Sequence, residues 1–163
     1  MTVDSPAACV RDGRASDAPL LVQWMLAMAW QTEHKRLNAA VLERGVAAVF
    51  ERPERGRYFV AECADAHGAS NAAGMLLLTR EWSDWRCGDW WWIQSVYVDP
   101  EFRRRGVYRA LHARVRALAR ATPGVCGLRL YVEKQNIAAQ TAYAALGMGD
   151  AGYFVFEEEF AAL

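Results

Sequence analysis

The stretch YVDPEFRRRGVYRAL, residues 97–111, decides the fold of this chain. It continues an apolar strand predicted over residues 90–98, turns at Asp99-Pro100, and passes through three arginines and Gly106 into a predicted helix. A helix start exposes unpaired backbone N–H groups and the positive end of the helix dipole. Arginines before such a start indicate an anion site, most naturally one for phosphate. A basic, solvated helix cap is the alternative, and this segment alone does not decide between the two.

A second strand-to-helix junction follows in LRLYVEKQNIAAQTAYAALGM, residues 128–148. Apolar residues alternate with polar or amphipathic ones from 128 to 132, which indicates a strand. Asn136 is a favourable N-cap, and Gly147 is a favourable stop for the helix between them. Tyr143 comes seven residues after the cap, so it lies two turns along the same helix face.

Together the two segments resemble the GNAT superfamily of acyl-CoA-dependent N-acetyltransferases. The phosphate loop of that family follows Arg/Gln-x-x-Gly-x-Gly/Ala, and this chain has Arg103, Gly106 and Tyr108 at the three defined positions. Tyr108 departs from the family pattern, which has a small residue there. The second segment is similar to the family's Asn-x-x-Ala-x-x-x-Tyr-x-x-x-Gly, and its matching residues are Asn136, Ala139, Tyr143 and Gly147.

The resemblance implies that acetyl-CoA is the co-substrate. Its pantetheine arm would bond like an added strand to the main chain of Val96, Tyr97 and Val98. Its phosphates would lie against Arg103, Arg104, Arg105, Gly106, Val107, Tyr108 and Arg109. Asn136 would contact the cofactor arm as well as cap its helix, and Tyr143 would act as a general acid toward the departing thiolate. On spacing alone, a buried helix tyrosine is the simpler interpretation of Tyr143.

Direct transfer to an amine also calls for a base. If the pKa of the amine is ~10, its deprotonation at pH 7 costs ~4 kcal/mol, at ~1.36 kcal/mol per pKa unit. Many relatives place a glutamate on the strand before the phosphate loop, where this chain has Gln94. Glu33 and Glu81 are therefore the candidate catalytic bases, and a solvated surface position is the alternative for each.

The tryptophans are crowded just before the loop. Five of the seven lie between residues 82 and 92. On a strand, Trp91 must face opposite to Trp90 and Trp92, so one face belongs to the core. The other face is predicted to line the acceptor cleft or an interface with a second copy of the chain, which leaves a homodimer open.

Composition excludes several other classes of protein. A length of 163 residues predicts a single domain, residues 1–163, with a sizeable core. Nineteen basic residues balance nineteen acidic ones, which argues against a nucleic-acid partner. The four cysteines are scattered and have no paired histidines nearby, so reduced thiols, a cytoplasmic location and no metal site are expected. No membrane span is predicted, because the apolar run over residues 20–30 is too short.

The order of the remaining elements predicts the architecture. Residues 1–7 are expected to be loose. Strands are predicted over residues 8–11, 57–62, 74–80, 90–98, 127–132 and 153–160, and helices over residues 16–30, 39–51, 106–121 and 137–146. This order indicates an α/β fold, GNAT-like, with a mixed and mostly antiparallel central sheet and helices on both faces. His112, among the arginines of the long helix, is interpreted as a helix-surface residue.

These observations predict an N-acetyltransferase that moves an acetyl group from acetyl-CoA to a primary amine by direct attack in a ternary complex. A catalytically silent acyl-CoA-binding regulatory module is the alternative, and Tyr108 and Gln94 are the residues that allow it.

Overall fold

The computed structural model describes residues 8–64 and 68–160. These residues divide into two compact units, one ending at Tyr131 and the other beginning at Val132. The prediction for residues 1–7 lies outside the described residues. The interpretation of the chain as a single domain stays a prediction.

The first unit contains a five-stranded sheet. Its strands are β1 (Cys9–Asp12), β2 (Arg57–Ala64), β3 (Ser70–Ser83), β4 (Gly88–Val98) and β5 (Val125–Leu130). They lie side by side in chain order; the first four are antiparallel, and β5 is parallel to β4. The predicted mixed, mostly antiparallel sheet is confirmed. β3 begins four residues earlier than predicted, because Ser70 and Asn71 continue the ladder opposite Ala64 and Cys63.

Four α-helices accompany the strands in the described residues. They are α1 (Ala18–Glu33), α2 (Ala39–Glu51), α3 (Val107–Ala121) and, in the second unit, α4 (Ile137–Ala145). The side chain of Asn38 accepts a hydrogen bond from the Val41 N–H at 3.3 Å, so the predicted cap of α2 is confirmed. α1 runs three residues beyond its predicted end, and it stops at His34, which adopts a left-handed conformation with φ 53°.

Helices cover both faces of the sheet, as the sequence predicts. One core packs α3 against the sheet around Phe59, Leu76, Trp91, Leu111 and Val115. The other packs α1 and α2 against the opposite face around Leu21, Trp24, Val46, Val60 and Met75. Full burial of an aliphatic or aromatic side chain contributes about 1.5–3 kcal/mol, so these two clusters supply most of the apolar stabilisation of the first unit.

The strand predicted over residues 153–160 is wrong. These residues form no strand, and Tyr153, Phe154 and Phe156 are largely exposed. The alternation of aromatic and valine residues favours extended backbone, but a strand exists only beside a partner. The described residues from 132 to 160 contain no other strand with which the segment could pair inside its unit.

The interpretation of His112 is also wrong. Its side chain is only 3% exposed and belongs to the buried face of α3, where its ring centroid lies 6.1 Å from that of Tyr108. Burial lowers the pKa of His112 below its ordinary value of 6.5, and the positive charge of Arg116 lowers it further.

His112 should therefore make folding pH-dependent on the acid side. Because its pKa is lowered in the folded state, the unfolded chain binds more protons below about pH 6.5, and the free energy of unfolding falls as the pH drops. His112→Gln should remove this contribution, whose slope is at most about 1.36 kcal/mol per pH unit. Urea unfolding of both proteins between about pH 7.5 and 5 checks it, and stability curves that stay parallel would contradict it.

Candidate active site

The turn after β4 is fixed by Asp99. One carboxylate oxygen of Asp99 accepts a hydrogen bond from the Glu101 N–H at 3.0 Å, and the other accepts one from the Trp24 indole N–H at 3.4 Å. The Asp99 N–H donates to the Ala73 carbonyl at 3.0 Å. The predicted turn is confirmed, and it is tied both to α1 and to β3.

The loop that follows has an unusual backbone. Arg104 and Gly106 both lie in the left-handed region, with φ 64° and 77°. α3 begins at Val107, and its N-cap residue, Gly106, supplies no side-chain cap. The first N–H groups of an α-helix have no partners within the helix itself. A left-handed residue before a helical one turns successive N–H groups toward a common point, which suits an anion.

The space above this helix start is open. A Cβ placed on Gly106 would meet no atom within 4 Å beyond its flanking residues and the helix backbone. Arg104, Arg105 and Arg109 are exposed around it, whereas the side chain of Val107 is buried in the core beneath α3. Any part played by Val107 therefore belongs to its main chain.

Arg103 is held by the protein itself. Its Nε donates to the Val98 carbonyl at 3.1 Å, and one terminal nitrogen donates to the Gln31 side-chain oxygen at 2.7 Å. Its guanidinium carbon lies 5.9 Å from the centre of the Tyr97 ring. A direct phosphate contact by the Arg103 guanidinium stays a prediction.

β4 and β5 separate partway along β4. Their pairing ends at Ile93 opposite Leu130. On the other side of β4, the register with β3 shifts by one residue, so that Gln94 is the extra residue of a β-bulge between Ile93 and Ser95. Among the described residues, no strand pairs with the β5-facing edge of β4 from Gln94 to Val98.

The open edge presents main-chain groups of Val96 and Val98, whereas those of Tyr97 face β3, and the Val98 carbonyl already accepts the bond from Arg103. The side chains of Val96 and Val98 pack against the α3 core, and Tyr97 is buried in the opposite core beside Trp24. Unpaired N–H and C=O groups along a strand are a template for one more strand or for an extended ligand. Sequence reasoning missed the bulge, for which the polar Gln94 inside an apolar run was the only signal.

The second unit contains the other predicted motif. The side chain of Asn136 accepts a hydrogen bond from the Ala139 N–H at 3.1 Å, which confirms it as the N-cap of α4. Gly147 has φ 86° just beyond the helix, as a stop residue should. Burial raises the pKa of the Tyr143 phenol above its ordinary value of 10.0, so the hydroxyl keeps its proton at neutral pH.

Glu81 lies on β3 in a cluster on the sheet face opposite α3. One of its carboxylate oxygens accepts a hydrogen bond from Arg129 at 2.7 Å, and the other accepts one from the Trp92 indole N–H. The Arg129 guanidinium lies 4.2 Å from the centre of the Trp90 ring, and the Trp92 and Tyr131 rings lie 4.3 Å apart. We call these five residues the aromatic cluster.

The tryptophans of β4 lie on the two faces of the sheet. Trp91 is buried in the α3 core, while Trp90 and Trp92 face the other way, as strand alternation predicts. Arg129 and Tyr131 were missed, because only the pairing of β5 with β4 brings them beside the tryptophans. Glu33 is elsewhere, at the end of α1, in an exposed ion pair with Lys35 at 2.7 Å.

Comparison with known proteins identifies the family of this fold. The model of the acetyltransferase (GNAT) family matches residues 20–148. The chain belongs to this family. None of the curated protein sequences compared with it matches.

Three solved structures illustrate how the GNAT fold is shared. A possible acetyltransferase from Clostridium difficile 630 is 35% identical, with a TM-score of 0.85 over 96% of this chain and 99% of that one. Aminoglycoside N-acetyltransferase AAC(6')-Iy, in complex with CoA, is 15% identical, with a TM-score of 0.72 over 94% and 95%. A transcriptional regulator from Bacillus halodurans C-125 is 18% identical, with a TM-score of 0.75 over 94% and 99%. The last two show a common fold alone.

Tyr108, the departure from the GNAT loop pattern, is half-buried. Its ring lies beside that of His112, one turn further along α3. It also stays more than 4 Å from the Cβ position of Gly106. The large side chain therefore does not occupy the position beside Gly106.

Two negative findings concern the part of the chain that the structure describes. Within it, no helix is long and apolar enough to cross a membrane. Nor does it contain a group of three or more His, Cys, Asp or Glu residues that could hold a metal ion. The cysteines described are free thiols. The cytoplasmic location stays a prediction.

Proposed function

We propose that this GNAT protein transfers an acetyl group from acetyl-CoA to the primary amine of a small or exposed acceptor. The observation that carries the proposal is the open edge of β4 beyond Ile93, which leads directly into the loop before α3, where the N-cap residue Gly106 has no side chain. One element offers unpaired backbone groups to an extended chain, and the next offers N–H groups to phosphates.

The cofactor residues fit this ligand. The open edge has the spacing of a strand across Val96, Tyr97 and Val98. A pantetheine arm with its two amides can bond as an added strand would to the main-chain groups of Val96 and Val98 that face this edge. The N–H groups from Arg104 to Arg109 and the exposed arginines supply positive charge at the helix start. A protein of the same fold, AAC(6')-Iy, is found in complex with CoA, which supports the assignment.

The reaction needs three contributions from the protein: polarisation of the thioester carbonyl, stabilisation of the departing thiolate, and a base for the amine. The thioester supplies an activated acyl carbon, and attack by the amine forms a C–N bond while the C–S bond breaks. A main-chain N–H near Val96 polarises the carbonyl as negative charge develops on its oxygen. Tyr143, which the family motif assigns to the sulfur, donates a hydrogen bond to the departing thiolate. Since its pKa is raised by burial and lies above that of a thiol at ~8.5, stabilisation by this bond contributes more than complete proton transfer.

The base is Glu33 or Glu81, acting through water. Both oxygens of Glu81 already accept hydrogen bonds from Arg129 and Trp92. Each carboxylate oxygen has two lone pairs, so a water can still bind. Glu33 faces solvent in its ion pair with Lys35, and a water can reach it more easily.

The acceptor approaches past Glu33, Glu81 and the tryptophans. Acidic groups attract an ammonium, and aromatic faces hold it by cation–π contact worth ~0.5–2 kcal/mol. In the aromatic cluster Arg129 already covers the Trp90 ring, which leaves Trp92 and Tyr131 as the rings for an acceptor cation.

A catalytically silent acyl-CoA-binding regulatory module is the second candidate. Two observations favour it: Gln94 stands where many relatives have a glutamate, and the carboxylate of Glu81 is held by two neighbours. A transcriptional regulator also shares the fold. Such a module would bind acetyl-CoA without releasing free thiol in the presence of any amine.

Gly106→Glu should abolish the rise in melting temperature that acetyl-CoA produces. A ligand at about 100 times its Kd stabilises the folded state by about 2.7 kcal/mol. The glutamate places a negative charge in the open space where phosphates would bind. Gly106→Ala is the control, because it brings the same strain at φ 77° without the charge. If acetyl-CoA shifts the glutamate variant as much as the alanine variant, the loop is not the phosphate site.

Tyr143→Phe should lower turnover roughly 10- to 1,000-fold and leave the affinity for acetyl-CoA nearly unchanged, since it deletes one hydroxyl. Release of free thiol from acetyl-CoA across a broad panel of amines measures this and tests the enzyme itself. Tyr153→Phe, an exposed tyrosine in the same unit, is the matched control. Equal turnover in the two variants would mean that Tyr143 has only a structural role. If the parent protein releases no thiol with any amine, the result would favour the regulatory module.

Glu33→Gln and Glu81→Gln should separate a base from a binding group. A catalytic base would lose rate and the acid limb of the pH–rate profile together, whereas a binding carboxylate would mainly raise the KM of the amine. Steady-state kinetics across pH with the acceptor found above makes the distinction. If neither variant changes the pH–rate profile or the KM of the amine, Glu33 and Glu81 are both surface charges. Water or another group then takes the proton of the amine.

A further inference from the structure

Gln31 lies outside both sequence motifs, yet it joins two residues of the candidate site. Its side-chain oxygen accepts a hydrogen bond from Arg103 at 2.7 Å. Its side-chain nitrogen donates to the hydroxyl of Tyr97 at 3.3 Å. A carboxamide suits this position because it carries an acceptor and a donor on one rigid group.

Arg103 is thereby fixed along the end of the open edge. It bonds to Gln31 through a terminal nitrogen and to the Val98 carbonyl through Nε, and it lies over the Tyr97 ring. Arg103 is also the residue from which the loop departs into its two left-handed positions, Arg104 and Gly106. Holding Arg103 therefore restrains the start of the loop that leads into α3.

A second contact from the same helix holds the other end of the turn. Trp24 donates to the carboxylate of Asp99 at 3.4 Å. Trp24 and Gln31 are seven residues apart on α1, which is two helical turns, so they present the same face. α1 thus holds the turn at Asp99 and again at Arg103.

We propose that Gln31 is a positioning residue for acetyl-CoA, acting through Arg103. It keeps the loop in the shape that receives the phosphates before the ligand arrives, which lowers the conformational cost of binding. This inference rests on the proposed function and adds to it a residue that the family motifs do not include. It assigns Arg103 to the support of the loop, and leaves the phosphates to the N–H groups and exposed arginines that follow.

Two substitutions at Gln31 separate positioning from mere packing. Gln31→Leu removes both hydrogen bonds at similar size. Gln31→Glu keeps an acceptor for Arg103, and the Tyr97 hydroxyl can donate to it in turn. Gln23→Leu is the matched control, an exposed glutamine on the same helix. Each full-length variant is measured for its melting temperature without ligand, its Kd for CoA by calorimetry, and its KM for acetyl-CoA and kcat.

Gln31→Leu should raise the Kd for CoA and the KM for acetyl-CoA about 3- to 10-fold, the range for loss of a solvent-accessible hydrogen bond. The kcat at saturating acetyl-CoA should stay within about two-fold, because the reacting atoms are not touched. Gln31→Glu should stay within about two-fold of the parent in every constant, as should Gln23→Leu. A purely structural role would instead lower the melting temperature and leave the Kd unchanged.

A double-mutant cycle tests the route through Arg103. In the background of Arg103→Met, Gln31→Leu should change the Kd for CoA by less than about two-fold, because the residue through which it acts is gone. Three results would overturn the inference even if the parent binds CoA. The first is that the effects of Gln31→Leu and Arg103→Met on the Kd are additive. The others are an unchanged Kd in Gln31→Leu, or a Gln31→Glu variant that binds CoA as weakly as Gln31→Leu. A parent that does not bind CoA would overturn the proposed function, and this inference with it.

Discussion

The parting of β4 from β5 after Ile93 is the constraint on which the rest of the site depends. β4 pairs with β3 along its whole length but with β5 only as far as Ile93. Backbone N–H and C=O groups need partners, so the stretch of β4 that extends beyond its pairing with β5 calls for a ligand or solvent. The bulge at Gln94 falls where the pairing ends, and it changes the local twist of the strand at that point.

β4 continues directly into the loop that precedes α3. Its last residues are anchored in both cores, with Val98 on one side and Tyr97 on the other. The turn at Asp99 is tied to β3 and α1, and the left-handed residues then direct the chain into α3. The buried face of α3, from Val107 onward, holds the helix in place, so its N-terminal N–H groups are oriented by core packing.

In the aromatic cluster, both oxygens of the Glu81 carboxylate already accept hydrogen bonds. Glu81 holds Trp92 and Arg129, and Arg129 covers Trp90. These contacts orient the rings on the face of the sheet opposite α3. An ion pair of this kind, partly exposed, contributes little to stability. Its effect is on the shape and charge of the surface that an acceptor would meet.

Features that depend on near neighbours in the chain could be predicted from the residues alone. Asn38 and Asn136 cap their helices through bonds to residues three positions on, and Gly106 and Gly147 supply left-handed turns, so their roles can be read from the residues. The tertiary structure decided the rest, because it depends on residues distant in sequence. It buried His112 under the sheet, joined Arg129 to Glu81 across two strands, placed Gln31 against Arg103, and left residues 153–160 without a strand partner despite their alternating pattern.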